Sequence, residues 1–150
     1  MRATFLWLSR LLALGVVVQA MTIVFAVSGL FSWVINDGGV LDESTYKSWQ
    51  DAPPTWTGAI GHGIHLLAGE RVFPVLALLL LIVAFFAKVP KGIAVAAVIF
   101  VLVLLQTVSG IKGHTMPYLG LWHGLGAFLI FGASMAAAMM AKKSPADAAA

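Results

Sequence analysis

Residues 61–87 read GHGIHLLAGERVFPVLALLLLIVAFFA, and this stretch decides the class of the protein. Its second half is almost purely apolar, whereas its first half places two histidines, a glutamate and an arginine among glycines. About 20 apolar residues in a helix are enough to cross roughly 30 Å of hydrocarbon. The stretch therefore predicts a membrane-spanning helix whose first turns carry polar side chains.

The rest of the chain is equally apolar. Of its 150 residues 61% are hydrophobic and 10% are charged, and the mean hydropathy is +0.98. A soluble domain is nearer about 45–50% apolar, so we expect an integral membrane protein in contact with a lipid bilayer. The net charge of +3 indicates topology, and no nucleic-acid partner is expected. Because the chain has no cysteine, disulfides, iron–sulfur clusters and covalent haem attachment are excluded.

Four apolar runs each reach the length of a membrane span, at about 5–35, 56–87, 92–111 and 117–141. Backbone in lipid must satisfy its own hydrogen bonds, so the runs predict an all-α, integral membrane four-helix bundle over 1–143. The first run continues past a cleavage-like Val-Gln-Ala and is expected to be a retained span. The small, polar tail at 144–150 is expected to be disordered.

Lysine and arginine gather at one end of the four spans, and these residues are Arg2, Arg10, Lys88, Lys91, Lys142 and Lys143. Because basic residues favour the cytoplasmic side, both termini are predicted to be cytoplasmic and the loop at 36–54 to lie outside. The expected location is the plasma membrane of a bacterium.

The four histidines all fall on the predicted outer side. A rise of about 1.5 Å per residue from the cytoplasmic lysines puts His65 and His123 within about one helical turn of the same height. We expect His62 to face water at the interface and His114 to lie in the outer loop, where it would suit contact with a haem propionate. Two imidazoles at one height, on spans 2 and 4, form a candidate ligand pair.

Glycines flank both candidate ligands at helical spacing. Gly61 and Gly69 lie one turn on either side of His65, and Gly120 and Gly126 lie above and below the second histidine. A flat macrocycle needs such a clearing, and an iron porphyrin between spans 2 and 4 would fit it. Glycine at this spacing also lets membrane helices pack closely, so both interpretations remain open.

Three charged residues lie close to these histidines in height. Arg71 and Lys112 are candidate partners of haem propionates, while Glu70 is a candidate for bonding an imidazole or handling a proton. A long, protruding span would instead let the charges of span 2 snorkel to interface water. Pro74 is expected to free a backbone carbonyl and to kink span 2.

A short repeat suggests that the spans form two tandem helical hairpins. Val-Ser-Gly recurs at 27–29 and 108–110, near the outer ends of spans 1 and 3, and each is followed by a histidine span. Uncharged polar residues such as Gln19 and Gln106 are expected to bond between helices.

The segments LLQTVSGI at 104–111 and LWHGLGAF at 121–128 resemble one four-helix half of heme A synthase, and also small four-helix membrane proteins of actinobacteria. The resemblance covers about residues 10–140 and implies that His65 and His123 ligate one b-type haem. The synthase has two such halves and this chain has one, so oxidation of a porphyrin methyl group is not implied. A second resemblance, to four-helix dihaem cytochromes b, lacks the histidines near the cytoplasmic side that a transmembrane electron path would need.

The leading expectation is a cytochrome-like protein that transfers electrons or holds haem b at the outer face, with no catalytic residue of its own. Its expected partners are redox or complex proteins and a second copy of the chain. One alternative is a cofactor-free accessory subunit of a larger membrane complex, packed through glycines. Another is half of a small transporter that uses Glu70 and His65 as proton or substrate sites.

Overall fold

The computed structural model describes residues 1–113 and 115–142, and within these ranges every regular element is helical. A π-helical turn, Ala68–Val72, joins the third helix to the fourth. The helices are α1 (Arg2–Asn36), α2 (Glu43–Asp51), α3 (Ala59–Leu67), α4 (Phe73–Ala87), α5 (Gly92–Gly113) and α6 (Pro117–Lys142). The predictions for His114 and for the tail at 144–150 lie outside the described residues.

Four stretches are long and apolar enough to cross a membrane, with mean hydropathies between 1.8 and 2.5. They are Arg2–Asn36, Ala59–Ala87, Gly92–Gly113 and Pro117–Lys142. This confirms an all-helical fold with four helices of membrane-spanning length. Between the second and third of them the chain turns at two lysines, Lys88 and Lys91, with φ of 51° and 58°.

The described chain divides into two compact units. The small unit is residues 18–68, and the large unit is residues 1–17 together with the described residues from Gly69 onward. In the large unit α5 packs against both α4 and α6. Its core contains fully buried large side chains separated by alanines, and these large side chains are Phe5, Leu12, Leu80, Ile99 and Ile130. Alanines let the helices approach closely, which is how packing is achieved where lipid is as apolar as the core.

The small unit is closed by glycines that bring backbone against backbone. A Cβ at Gly29 of α1 would overlap the carbonyl group of Thr57. Gly58 has φ of 95° just before α3, and a Cβ there would also lie 2.6 Å from the Phe25 carbonyl oxygen. The second half of α1 therefore meets the start of α3 at a distance that only glycine permits.

The loop after α1 contains α2, which the sequence analysis did not predict. Asp42 caps it by accepting a hydrogen bond from the Thr45 backbone N–H at 2.8 Å, and this bond is the main reason that the pKa of the Asp42 carboxyl group is lowered. Trp49 of α2 packs between Trp33 and Trp56, with ring centroids 6.3 and 6.2 Å away and ring planes tilted by 59° and 57°. Aromatic rings are typical of the border between lipid and water.

Gly29→Ala is expected to destabilise the protein by about 1–3 kcal/mol, because the added methyl group displaces backbone and not a flexible side chain. Gly63→Ala is the matched control, since a Cβ there meets nothing within 4 Å. Thermal unfolding in detergent measures both. Equal midpoints for the two variants would contradict the close approach of α1 to the segment before α3.

Candidate functional site

His65 on α3 and Gln19 on α1, both in the small unit, bond to each other in both directions. Gln19 Nε2 donates to the backbone oxygen of His65 at 3.0 Å, and His65 Nδ1 lies 3.0 Å from the backbone oxygen of Gln19. Because a carbonyl oxygen can only accept, the imidazole donates from Nδ1. Thr22 Oγ1 donates to the same Gln19 carbonyl at 3.0 Å.

His123 on α6 and Gln106 on α5 repeat this arrangement in the large unit. Gln106 Nε2 donates to the backbone oxygen of His123 at 2.7 Å, and His123 Nδ1 lies 3.0 Å from the backbone oxygen of Gln106. Ser109 Oγ donates to that same carbonyl at 3.0 Å. Both histidines are half-buried.

We refer to each arrangement as a Gln–His clamp. In both clamps a glutamine on one helix is followed three residues later by a hydroxyl residue, and the histidine comes from another helix. The repeated element is therefore Gln-x-x-Thr/Ser, with Gln19 equivalent to Gln106 and Thr22 equivalent to Ser109. The Val-Ser-Gly repeat has a different register, because Ser28 lies six residues beyond Thr22.

The clamps define the proton position on each ring. A neutral imidazole that carries its proton on Nδ1 has its lone pair on Nε2. Metal-bound histidines show this same division, with one ring nitrogen on the metal and the other donating to a carbonyl or carboxylate. In its neutral form, each clamped histidine is thus the tautomer that can bind a metal through Nε2.

Each clamp also contains a buried amide oxygen that lacks a partner. Among the described residues, Gln19 Oε1 and Gln106 Oε1 accept no hydrogen bond. Rotating either amide would place its oxygen against a histidine carbonyl, so the bonds from Nε2 fix the amide orientation. A Cβ at Gly126 would overlap Gln106 Oε1, which places the Gly126 Cα–H against that oxygen as a weak donor.

The glycines that flank the two histidines, which were predicted to leave room for a macrocycle, have different surroundings. Gly61 is buried, and a Cβ there would lie 2.5 Å from the Thr22 carbonyl oxygen, whereas a Cβ at Gly120 meets nothing within 4 Å. Gly61 and Gly126 therefore serve protein contacts beside the clamps. Their part in holding a macrocycle remains a prediction.

Gly110 was not among the predicted site residues, although it contacts a predicted ligand. A Cβ at this position would lie 2.8 Å from His123 Cε1 and 3.0 Å from its Nδ1. The imidazole thus rests on the bare backbone of α5. Its position four residues after Gln106, on the same helical face, was the available signal.

The predicted disturbance of span 2 takes the form of the π turn at Ala68–Val72. Pro74 has no N–H and clashes with a regular helical carbonyl four residues earlier, which explains why the helix widens just before it. In a π turn the carbonyl of Gly69 would accept from the N–H of residue 74, but that residue is Pro74, so this carbonyl has no such backbone donor. Thr107 Oγ1 lies 3.1 Å from that Gly69 oxygen and 3.1 Å from the Val103 oxygen, so its hydroxyl proton is shared between them.

The charged residues near the clamps are exposed. Glu70, Arg71 and Lys112 all lie on the surface of their unit, where a charge can reach the interface. Among the described residues, an ion pair forms between Glu43 and Lys47 on α2, at 2.6 Å, and not at these three charged residues. The predicted contacts of Arg71 and Lys112 with propionates remain predictions.

Comparisons with known protein families, with characterised proteins and with solved structures find no match to this chain. Over the described residues, no three His, Cys, Asp or Glu side chains form a group that could hold a metal ion. The resemblance to heme A synthase therefore rests on the residues quoted for it.

Thr107→Val is expected to destabilise the protein by about 1 kcal/mol, because the Gly69 carbonyl loses its side-chain donor. Thr107→Ser keeps the hydroxyl group and should retain most of the stability. Thermal unfolding in detergent compares the two. Equal losses for valine and serine would contradict the hydroxyl contact with the π turn.

Proposed function

We propose that the protein is a b-type haem protein of the membrane, with His65 and His123 as the two axial ligands of one haem. It transfers electrons or holds haem, as the resemblance to one half of heme A synthase implies. The bound group supplies one-electron redox chemistry, and the chain supplies ligands, burial and nearby charge.

The observation that carries this proposal is the shared tautomer of the two histidines. Each donates from Nδ1 to a backbone carbonyl at 3.0 Å, which directs the lone pair of each ring to Nε2. His65 and His123 would hold the haem iron through Nε2, and the haem would supply one-electron redox chemistry. The absence of cysteine from the sequence agrees with a haem that is held without covalent attachment.

The propionates of such a haem require cations at the membrane surface. Arg71 and Lys112 are exposed, so each can extend its long side chain to the interface. We assign the propionates to these two residues. Neither cation has an acidic partner within the ion-pair distance among the described residues.

The proposed topology has both termini in the cytoplasm of a bacterium and the clamps towards the outer face. The basic residues at the two ends of the described chain support it. The bond from Arg2 Nε to the Ala141 carbonyl at 2.9 Å joins the start of α1 to the end of α6 within the large unit, which agrees with both ends lying on one side of the membrane.

The test is an absorption spectrum of protein purified from cells supplied with haem. We expect a Soret band with the sharp α and β bands of reduced, six-coordinate haem b. His65→Ala and His123→Ala should each lose this low-spin spectrum, because each removes an axial ligand.

His62→Ala is the control, since His62 lies on the same helix as His65 and is not a proposed ligand. It should keep the wild-type spectrum. A colourless wild-type protein, or His65→Ala and His123→Ala spectra identical to that of the wild type, would reject the proposal.

A second candidate function is that of a cofactor-free subunit in a larger assembly. One observation favours it: a Cβ at Gly120 or Gly124 would meet nothing within 4 Å, and both residues are exposed on α6. Small residues four apart on a membrane helix allow another helix to approach closely. The occupant would be a second copy of the chain or a partner subunit.

Gly124→Leu is expected to shift the assembly towards the monomer, because the larger side chain prevents close helix approach. Size-exclusion chromatography with light scattering in detergent measures the mass. Val101→Leu, on the exposed part of α5, is the control for added apolar volume. A wild-type protein that is already monomeric and has no partner would contradict this second function.

A further inference from the structure

We infer that Gln19 and Gln106 are positioning residues, each of which sets the tautomer and the orientation of one axial histidine. This inference rests on the proposed haem function. It concerns residues that would touch neither the iron nor the porphyrin and that act through His65 and His123.

The argument begins with the two-way bonding in each clamp. A single hydrogen bond between two helices allows rotation about it, whereas two bonds between the same pair of residues fix their separation and their rotation together. In the small unit these bonds are 3.0 and 3.0 Å, and in the large unit 2.7 and 3.0 Å. The side-chain donor of each glutamine therefore holds its own backbone carbonyl within reach of the imidazole.

The recurrence of the clamp strengthens the argument. Gln19 pairs with a residue 46 positions away, and Gln106 with one 17 positions away, yet the four bonded atoms are the same in each. A hydroxyl three residues after each glutamine donates to the same carbonyl. Two different loops have produced one local geometry, and in both cases a histidine ring is the group being held.

The unpartnered amide oxygens point the same way. Buried amides usually bond through both their oxygen and their nitrogen. Here Oε1 lacks a partner in both clamps, as far as the described residues extend. The orientation of each amide is thus set by the hydrogen bond from its Nε2 to the histidine carbonyl.

The acceptor in each clamp also determines the character of the ligand. A carboxylate on Nδ1–H would draw the proton and make the imidazole a stronger donor to iron, as outer-shell carboxylates do. A backbone carbonyl is a neutral acceptor and draws that proton less strongly than a carboxylate does. Both proposed ligands have this acceptor, so the two faces of the iron would receive the same kind of ligand.

The test uses ¹⁵N-labelled histidine in the full-length protein without haem. In the wild type the ring nitrogens of His65 and His123 should show a protonated Nδ1 and an unprotonated Nε2. Gln19→Met should move the His65 signals towards the average of exchanging tautomers and leave His123 unchanged. Gln106→Met should do the reverse. Methionine keeps the length of glutamine and removes its donor.

Thr107→Val is the matched control, because it removes an inter-helical hydrogen bond at the residue next to Gln106. It should leave the ring signals of both histidines in place. Unmoved ring signals in the Gln19→Met and Gln106→Met proteins would overturn the inference, since a purely structural glutamine predicts that result.

A second measurement separates this inference from the proposed function. With haem supplied, each methionine variant should bind it about 10- to 100-fold more weakly than the wild type and show altered low-spin EPR g values. Wild-type haem binding with unchanged affinity and g values in the variants overturns the inference alone. A wild type that binds no haem rejects the proposed function, and with it the role of the glutamines in haem binding.

Discussion

The cost of leaving an N–H group without an acceptor is the constraint on which this molecule depends. In hydrocarbon no water can replace a missing partner, so an N–H group left unpaired between the helices is costly. The imidazoles of His65 and His123 meet this demand on the main chain of a neighbouring helix. The glutamine side chains return a bond to the histidine backbone, and the glycines nearby allow the helices to come close enough for both.

The four long helices could be predicted from the sequence because apolar length is a local property. A run such as VLALLLLIVAFF can be assigned to lipid without knowledge of its neighbours. Pro74 likewise predicts a break in the backbone hydrogen bonds of its helix, whatever that helix packs against. The form of that break was not predictable in the same way. A π turn and a kink both accommodate a proline, and the choice here involves the hydroxyl of Thr107, which lies on another helix.

The candidate site was predicted only in part, for the same physical reason. The histidines and their glycines are visible along the chain, whereas the partners of the histidines are 46 and 17 residues away. Gln19 and Gln106 were expected to bond between helices, but the sequence does not say to which atom. The Val-Ser-Gly repeat has another register, whereas the structural repeat pairs Thr22 with Ser109, two different residue types that both supply the hydroxyl donor. The role of Gly110 is not visible along the chain, because its contact is with a ring that comes from α6.

The use of a peptide carbonyl as the imidazole acceptor has a consequence for how the protein responds to its surroundings. A peptide carbonyl oxygen neither gains nor loses a proton between about pH 4 and 10, and this interval covers the pH values that a cell membrane meets. A carboxylate in that place would switch its strength as an acceptor with acidity, and so would any iron bound through the ring. Acidification on either side of the membrane therefore leaves the carbonyl acceptor of each histidine Nδ1–H chemically unchanged.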